Sequence, residues 1–246
     1  MQSIFKRHEK KYLITLEQYA AFADILSRHM MPDRFCEYLV QNLYYDTENW
    51  DVIRASIEKP LFKEKLRLRC YGVQHQESEL FLELKKQYKG VVYKRRIAVP
   101  MNARSGGTAR VIVPGESSQI SRELDFYMKT NAVNEKIYIS FRRIAFAGIE
   151  DNGLRVTFDT DIRFRLDCLD FLYPDEGISI LPHDKILMEV KTLGAMPLWM
   201  AHALCENEIY PVTFSKYGVC YTKYILKQAG TDTKKTKTER KVKISA

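Results

Sequence analysis

The stretch KEKLRLRCYG, residues 63–72, alternates in character with a period of two. Successive side chains of a strand point to opposite faces, so Lys65, Arg67 and Arg69 share one face and Leu66 and Leu68 the other. The next two segments repeat the pattern. In FLELKK, Glu83 and Lys85 oppose Leu82 and Leu84; in VVYKRRIAV, Lys94 and Arg96 share a face. Short polar turns at 72–78 and 89–90 join the three segments, which predicts a meander of antiparallel hairpins over 62–71, 79–88 and 91–99.

The same alternation recurs far away. Arg155, Thr157 and Asp159 oppose Val156 and Phe158, Glu189 and Lys191 oppose Met188 and Val190, and Arg7, Glu9 and Lys11 share a face near the start. Eight strands are expected, with the others at about 4–14, 37–45, 136–148, 153–161 and 185–193. Five helices complete the reading. Thr15 and Gln18 form a capping box that opens a helix reaching Met31, before Pro32. Further helices are expected from Asp46 or Thr47 to Lys59, over about 121–131, from Pro197 to about Glu208, and over about 215–228. The stretch 101–118, with Gly106, Gly107, Pro114 and Gly115, reads as a long loop.

An open sheet can show a charged face to water. A closed barrel can also carry one inside, because eight antiparallel strands suffice for closure around a side-chain-filled interior. Long Arg and Lys side chains recur on many strands, which favours closure. The expectation is an α+β fold: a closed eight-stranded antiparallel β-barrel, a tunnel, with a charged lumen and helices packed outside. Confined like charges repel, and desolvating each costs on the order of several kcal/mol. A polyanion such as a chain of phosphates resolves this by accepting charge-assisted hydrogen bonds. The acids Glu9, Glu83 and Glu189 would orient basic groups or hold a divalent metal.

The whole chain has 246 residues, 46% hydrophobic and 28% charged, a globular composition. Its 39 Lys+Arg and 31 Asp+Glu leave a net charge of +8. Half of that surplus, +4, belongs to residues 232–246, and 231–246 reads as a basic, disordered tail after a single domain over 1–230. No apolar run is long enough to be a transmembrane segment, and the first residues lack a signal h-region. The five cysteines are scattered, as expected of reduced thiols in the cytoplasm. His residues show no ligand spacing, Gly106-Gly107 starts no phosphate loop, and no motif points to specific nucleic-acid binding.

Taken in order, RHEKKYLI, LYYDT, KLRLRCYG, FLELKK, VYKRR, FRRIAF, LRVTFDT, LMEVKT and FSKY resemble the VTC-type polyphosphate polymerase domain, within the CYTH or triphosphate tunnel metalloenzyme superfamily. The resemblance runs from about Phe5 to about Gln228. It implies catalytic positions at Lys11, Arg67, Arg69, Lys85, Lys94, Arg143, Arg155 and Lys216. It implies phosphate or nucleotide contacts from Arg67, Arg69, Lys85, Lys94, Arg96, Arg143 and Arg155. A metal, Mn²⁺ or Mg²⁺, would sit on Glu189, with Glu9 as a second candidate. The implied activity is ATP-dependent growth of a polyphosphate chain, so ATP and inorganic polyphosphate or triphosphate are the expected partners, while a membrane-associated partner subunit is left unknown. The same cage would serve a triphosphate or nucleoside triphosphate hydrolase, or a non-catalytic polyphosphate-binding subunit. One departure stands out: Phe141 occupies the position, two before Arg143, where the family leads one to expect tyrosine.

Overall fold

The computed structural model describes residues 8–75, 77–89, 91–101 and 118–227. Arg7, the glycine-containing stretch at 102–117 and the basic segment 231–246 lie outside the described residues. The described part is α+β, with one antiparallel sheet and five α-helices.

Ten strands build the sheet: β1 (His8–Thr15), β2 (Met30–Asp46), β3 (Phe62–Tyr71), β4 (Glu79–Tyr88), β5 (Val91–Pro100), β6 (Asn134–Gly148), β7 (Arg155–Arg165), β8 (Ile178–Ser179), β9 (Lys185–Thr192) and β10 (Pro211–Val212). Their order is β10-β1-β9-β7-β6-β2-β3-β4-β5, with β8 on β7. This corrects the expected closed eight-stranded barrel. Two additional strands are present, and among the described residues no ladder joins β5 to β10. The C-terminal margin cannot extend a ladder far, because β10 has only two residues and one is Pro211, which lacks an N–H. Side chains span that margin instead. Lys65 of β3 donates to Ser215 Oγ (3.3 Å), and Lys11 of β1 donates to the Phe214 carbonyl (3.0 Å).

The helices are α1 (Leu16–His29), α2 (Asp51–Ile57), α3 (Gln119–Asn131), α4 (Leu198–Glu206) and α5 (Lys216–Cys220), which continues as a π-helical turn over Tyr221–Ile225. The Thr15/Gln18 capping box forms as expected, with both reciprocal bonds at 3.0 Å. α1 ends before Pro32, because Met30 already has extended backbone and enters β2. α2 is shorter than expected, and Asp46 serves it from a distance. Its carboxylate accepts the Val52 and Ile53 amides at 2.9 and 3.0 Å, donors that α2 leaves unpaired in its first turn.

The outward apolar faces are covered by helices, as the alternation requires. Leu66, Leu68, Leu80, Leu82 and Leu84 pack with Leu124, Tyr127 and Met128 of α3. Tyr12, Ile14, Val156, Phe158, Met188 and Val190 pack with Phe22 and Leu26 of α1 and Met200, Ala203 and Leu204 of α4. A third cluster joins Tyr44, Ile137, Ile139, Phe141, Phe164 and Leu187 with Ile53 of α2 and Tyr217, Cys220 and Tyr221. It fills one end of the sheet's concave side. β7 reaches it through a bulge: the ladder with β6 shifts register between Ser140 and Arg142, opposite Asp161 with φ 48°. The bulge ends the simple alternation that starts at Arg155.

Candidate functional site: a basic cavity on the concave face

A cavity of about 420 Å³ opens on the concave face. Nine basic side chains line it (Lys11, Lys63, Lys65, Arg67, Arg69, Lys85, Arg143, Lys191 and Lys216) against three acids, Glu9, Glu64 and Glu189. Tyr44, Phe141 and Phe214–Tyr217 complete the wall. Side chains from both halves of the curled sheet therefore face one space.

Two buried carboxylates hold the arginines in place from behind. Glu83, 1% exposed, accepts Arg67 Nε and Nη2 at 2.9 and 2.8 Å. Lys94 Nζ lies 2.5 Å from its other oxygen, Arg96 3.6 Å, and Arg69 4.0 Å from the first. Burial pushes the Glu83 carboxyl up, yet Arg67, Arg69 and Lys94 overcome it and hold it at about 2. Asp159, also 1% exposed, accepts Arg143 through both oxygens (2.6 and 2.8 Å) and Lys216 at 2.5 Å. Burial opposes its ionisation too, and Lys216 and Arg143 keep it below the usual carboxylate range. Bidentate forks of this kind fix a guanidinium's direction as well as its charge.

The lysines differ. Among the described residues, Lys65 and Lys85 have no carboxylate within ion-pair distance, and each is lowered, first by burial and then by neighbouring cations. Lys65 falls to about 8, with Lys63, Lys85 and Lys11 contributing. Tyr44 donates no charge but answers it. Burial alone would raise its phenol, yet Arg67, Arg69 and Lys65 bring it down to about 8, and its oxygen accepts Arg67 Nη1 at 3.2 Å.

The opposite wall carries acid. Glu189 of β9 lies 2.6 Å from Lys191 and 3.6 Å from Lys11, and Lys11 lies 3.5 Å from Glu9. Burial would raise Glu189, but Lys191, Glu9 and Lys11 draw it well below the ordinary value. The register places Lys11 opposite Glu189 and Glu9 opposite Lys191, which brings the two carboxylates together. No group of three or more His, Cys, Asp or Glu suited to a metal occurs among the described residues. Two carboxylates still fit a hard divalent ion that takes its remaining ligands from substrate phosphates and water, the usual manner of Mg²⁺.

Of the residues expected at the site, Lys11, Arg67, Arg69, Lys85, Arg143, Lys216, Glu9 and Glu189 line the cavity together. Lys94 and Arg96 stand behind, on Glu83. Arg155 is apart: it is 48% exposed and its Nη2 donates to Asp33 at 2.8 Å. Phe141, in place of the expected tyrosine, is buried with the Lys216 ammonium 4.2 Å and the Arg143 guanidinium 5.0 Å from its ring centre. The ring thus supports cations by its π-face. Lys65, Lys191 and Tyr44 were not singled out by sequence. Lys65 and Lys191 share strand parity with residues that were, and Tyr44 lies in the LYYDT segment.

The VTC domain family matches residues 6–225. The chain belongs to the VTC domain family. Membership carries a polyphosphate- or triphosphate-related function in general, and a cavity lined mainly by cations is its physical counterpart. None of the curated proteins compared with this VTC domain matches it significantly. Among solved structures, a candidate adenylate cyclase from Vibrio parahaemolyticus is 12% identical, with a TM-score of 0.47 over 90% of this chain and 100% of its own. Another from Bacillus halodurans is 15% identical, with a TM-score of 0.48 over 85% of this chain and 95% of its own. The Mimivirus capping enzyme triphosphatase is 6% identical, with a TM-score of 0.34 over 81% and 87%. No helix among the described residues is long and apolar enough to cross a membrane.

Proposed function

We propose that this VTC domain is a polyphosphate polymerase that transfers the γ-phosphoryl group of ATP to a growing inorganic polyphosphate chain. The observation that carries the reading is the surplus of cations around one cavity, with Lys65 and Lys85 lacking a carboxylate at ion-pair distance among the described residues. Phosphoryl transfer passes through a loose transition state with charge on peripheral oxygens, so positioning and electrostatic stabilisation do most of the work.

In the proposed reaction an oxygen of inorganic phosphate, or of the chain end, bonds to the γ-phosphorus. The bond from that phosphorus to the β–γ bridging oxygen breaks, and ADP leaves with the electron pair. Arg67 and Arg69, steered by Glu83, hold phosphate oxygens on one wall. Arg143 and Lys216, steered by Asp159, hold them on the other. Lys65 and Lys85 meet the charge that neither carboxylate balances, and Lys11 bridges towards the acidic corner. Glu189 and Glu9 would hold Mn²⁺ or Mg²⁺, which when bound would neutralise charge on phosphate oxygens. Cytoplasmic ATP and polyphosphate are the proposed partners.

Purified protein incubated with ATP and Mn²⁺ tests the reading. Long polyphosphate appearing with equimolar ADP is the expected result. Free phosphate as the sole product beside ADP would assign the cavity to hydrolysis, and no turnover with tight tripolyphosphate binding would make it a polyphosphate-binding subunit.

A further inference from the structure

Beyond Arg69 the concave face changes from charge to aromatic. On β3 the next residue of the same parity is Tyr71; on β4, beyond Glu83, it is Phe81; on β2, three such steps past Tyr44, it is Tyr38. Tyr71 lies 5.9 Å from Tyr38 and 6.0 Å from Phe81 between ring centres, and Tyr38 lies 6.2 Å from Phe35. Arginines border the arch. The Arg96 guanidinium stands 3.5 Å from the Phe81 centre, Arg69 5.8 Å from Tyr71, and Arg34 5.7 Å from Phe35.

The outer end of the arch is held in an uncommon shape. The β2–β6 register shifts between Pro32 and Glu37, and Cys36 takes a left-handed φ of 52°. Phe35 is left 66% exposed at the tip. Asp33 ties the bulge down: one oxygen accepts the Phe35 amide at 2.9 Å and the other accepts Arg155 Nη2 at 2.8 Å. None of Phe35, Tyr38, Tyr71 and Phe81 lines the cavity itself.

We infer that this arch receives the base of the nucleoside triphosphate whose phosphates occupy the cavity. The inference rests on the proposed reading of the cavity as an ATP site, and adds to it where the base lies and which way the nucleotide points. Tyr71 is two residues from Arg69 and four from Arg67, so about 7 and about 13 Å along the strand, a span that a ribose and its first phosphates bridge. A nucleobase is flat, offers a π-face to stack and carries polar edges, which suits aromatics bordered by guanidinium groups. An aliphatic ligand would gain nothing from the three arginines. The γ-phosphate then points towards Lys65, Lys85 and the acidic corner. Arg155 becomes a positioning residue, acting through Asp33 on the bulge that presents Phe35.

Calorimetric titration of the full chain with ATP and, separately, with tripolyphosphate tests this. Phe35→Leu and Tyr71→Leu keep apolar bulk and remove the π-face. Each should weaken ATP binding about five- to fifty-fold and leave tripolyphosphate within about twofold. Arg155→Ala should follow the same split, whereas a direct phosphate contact would weaken both ligands alike. Phe35 is exposed enough that its variant tests the arch even if Tyr71→Leu lowers the melting temperature. Parallel loss of both ligands, or no loss of ATP in Phe35→Leu, overturns the inference and leaves the cavity reading standing. Failure of the unaltered protein to bind tripolyphosphate removes the cavity reading itself.

Discussion

The two walls of the cavity are built from the same strand alternation but differ in charge balance. On the β3–β5 wall, Lys63, Lys65, Arg67, Arg69 and Lys85 face the space beside Glu64, and the buried Glu83 gathers only Arg67, Arg69, Lys94 and Arg96. On the opposite wall, from β1, β9, β6, β7 and α5, Lys11, Lys191, Arg143 and Lys216 meet Glu9, Glu189 and Asp159. One wall is short of negative charge until a ligand supplies it. The other is close to balanced and already ordered. Binding strength should therefore come chiefly from the first, and the placement of a divalent ion from the second.

The largest effect is expected on the balanced wall. Glu189→Gln keeps the shape but loses the charge that holds a hard cation, so turnover in the Mn²⁺ assay should fall at least about a hundredfold. Tripolyphosphate affinity without metal should hold or improve. Wild-type rates across a Mn²⁺ titration would remove Glu189 from the site and break the division between walls.

Lys85→Ala probes the other wall. Loss of one charge-assisted hydrogen-bonding group should weaken tripolyphosphate binding about ten- to a hundredfold. Burial and like charges oppose the Lys85 ammonium, so the ligand-free melting temperature should not fall. A large drop in melting temperature with unchanged affinity would show that Lys85 is structural.

The pH dependence sharpens the contrast. Lys65 and Tyr44 both sit at about 8, each below its ordinary value, and they titrate as a pair. Between about pH 8 and the unfolded values near 10, the unfolded chain binds more protons, so ligand-free stability should rise with pH there. A bound polyanion favours the protonated pair. Its dissociation constant should therefore climb from pH 8 to 9, by at most about tenfold for one linked proton. Thermal melts and calorimetry over pH 7 to 9 would show the two trends moving in opposite directions. An affinity that stays flat while stability rises would disconnect Lys65 from the ligand.

The smallest effect belongs to Phe141. Phe141→Tyr introduces a hydroxyl at the base of the cavity, beside Arg143 and Lys216. It should strengthen tripolyphosphate binding only severalfold, and weaker binding would mean that the hydroxyl disturbs the cation–π contacts more than it helps.

Much of this was legible in a period-two pattern. Arg67 and Arg69 on one face and Leu66 and Leu68 on the other follow from strand geometry, and the three-stranded meander and the capping box at Thr15 appear where expected. Glu83 as a group that orients bases also follows, since it shares parity with Lys85. What alternation cannot show is where it stops. Asp161 adopts a left-handed backbone and inserts a bulge, so β7 continues to Arg165 after the expected strand has ended. β8 and β10, of two residues each, carry too little pattern to detect. Arg155 illustrates the other limit: its parity is right, but its position at the start of β7 puts it within reach of Asp33, a tertiary pairing invisible to local pattern. Closure failed for a similar reason, because edge-to-edge pairing depends on Pro211 and the brevity of β10.

Lys11 and Phe214 are joined by a hydrogen bond across 203 positions of sequence. During synthesis β1 precedes the other strands of the sheet, and its lysine, already beside Glu9, waits for nearly the whole domain before the Phe214 carbonyl exists. Asp159 likewise meets Arg143 early and Lys216 late. A nascent chain therefore exposes cationic strands long before it possesses an enclosed site, and contacts this distant in sequence are slow to form. The cavity therefore needs contacts that close late, so under the proposed function tripolyphosphate binding would double as a report that the domain has been completed.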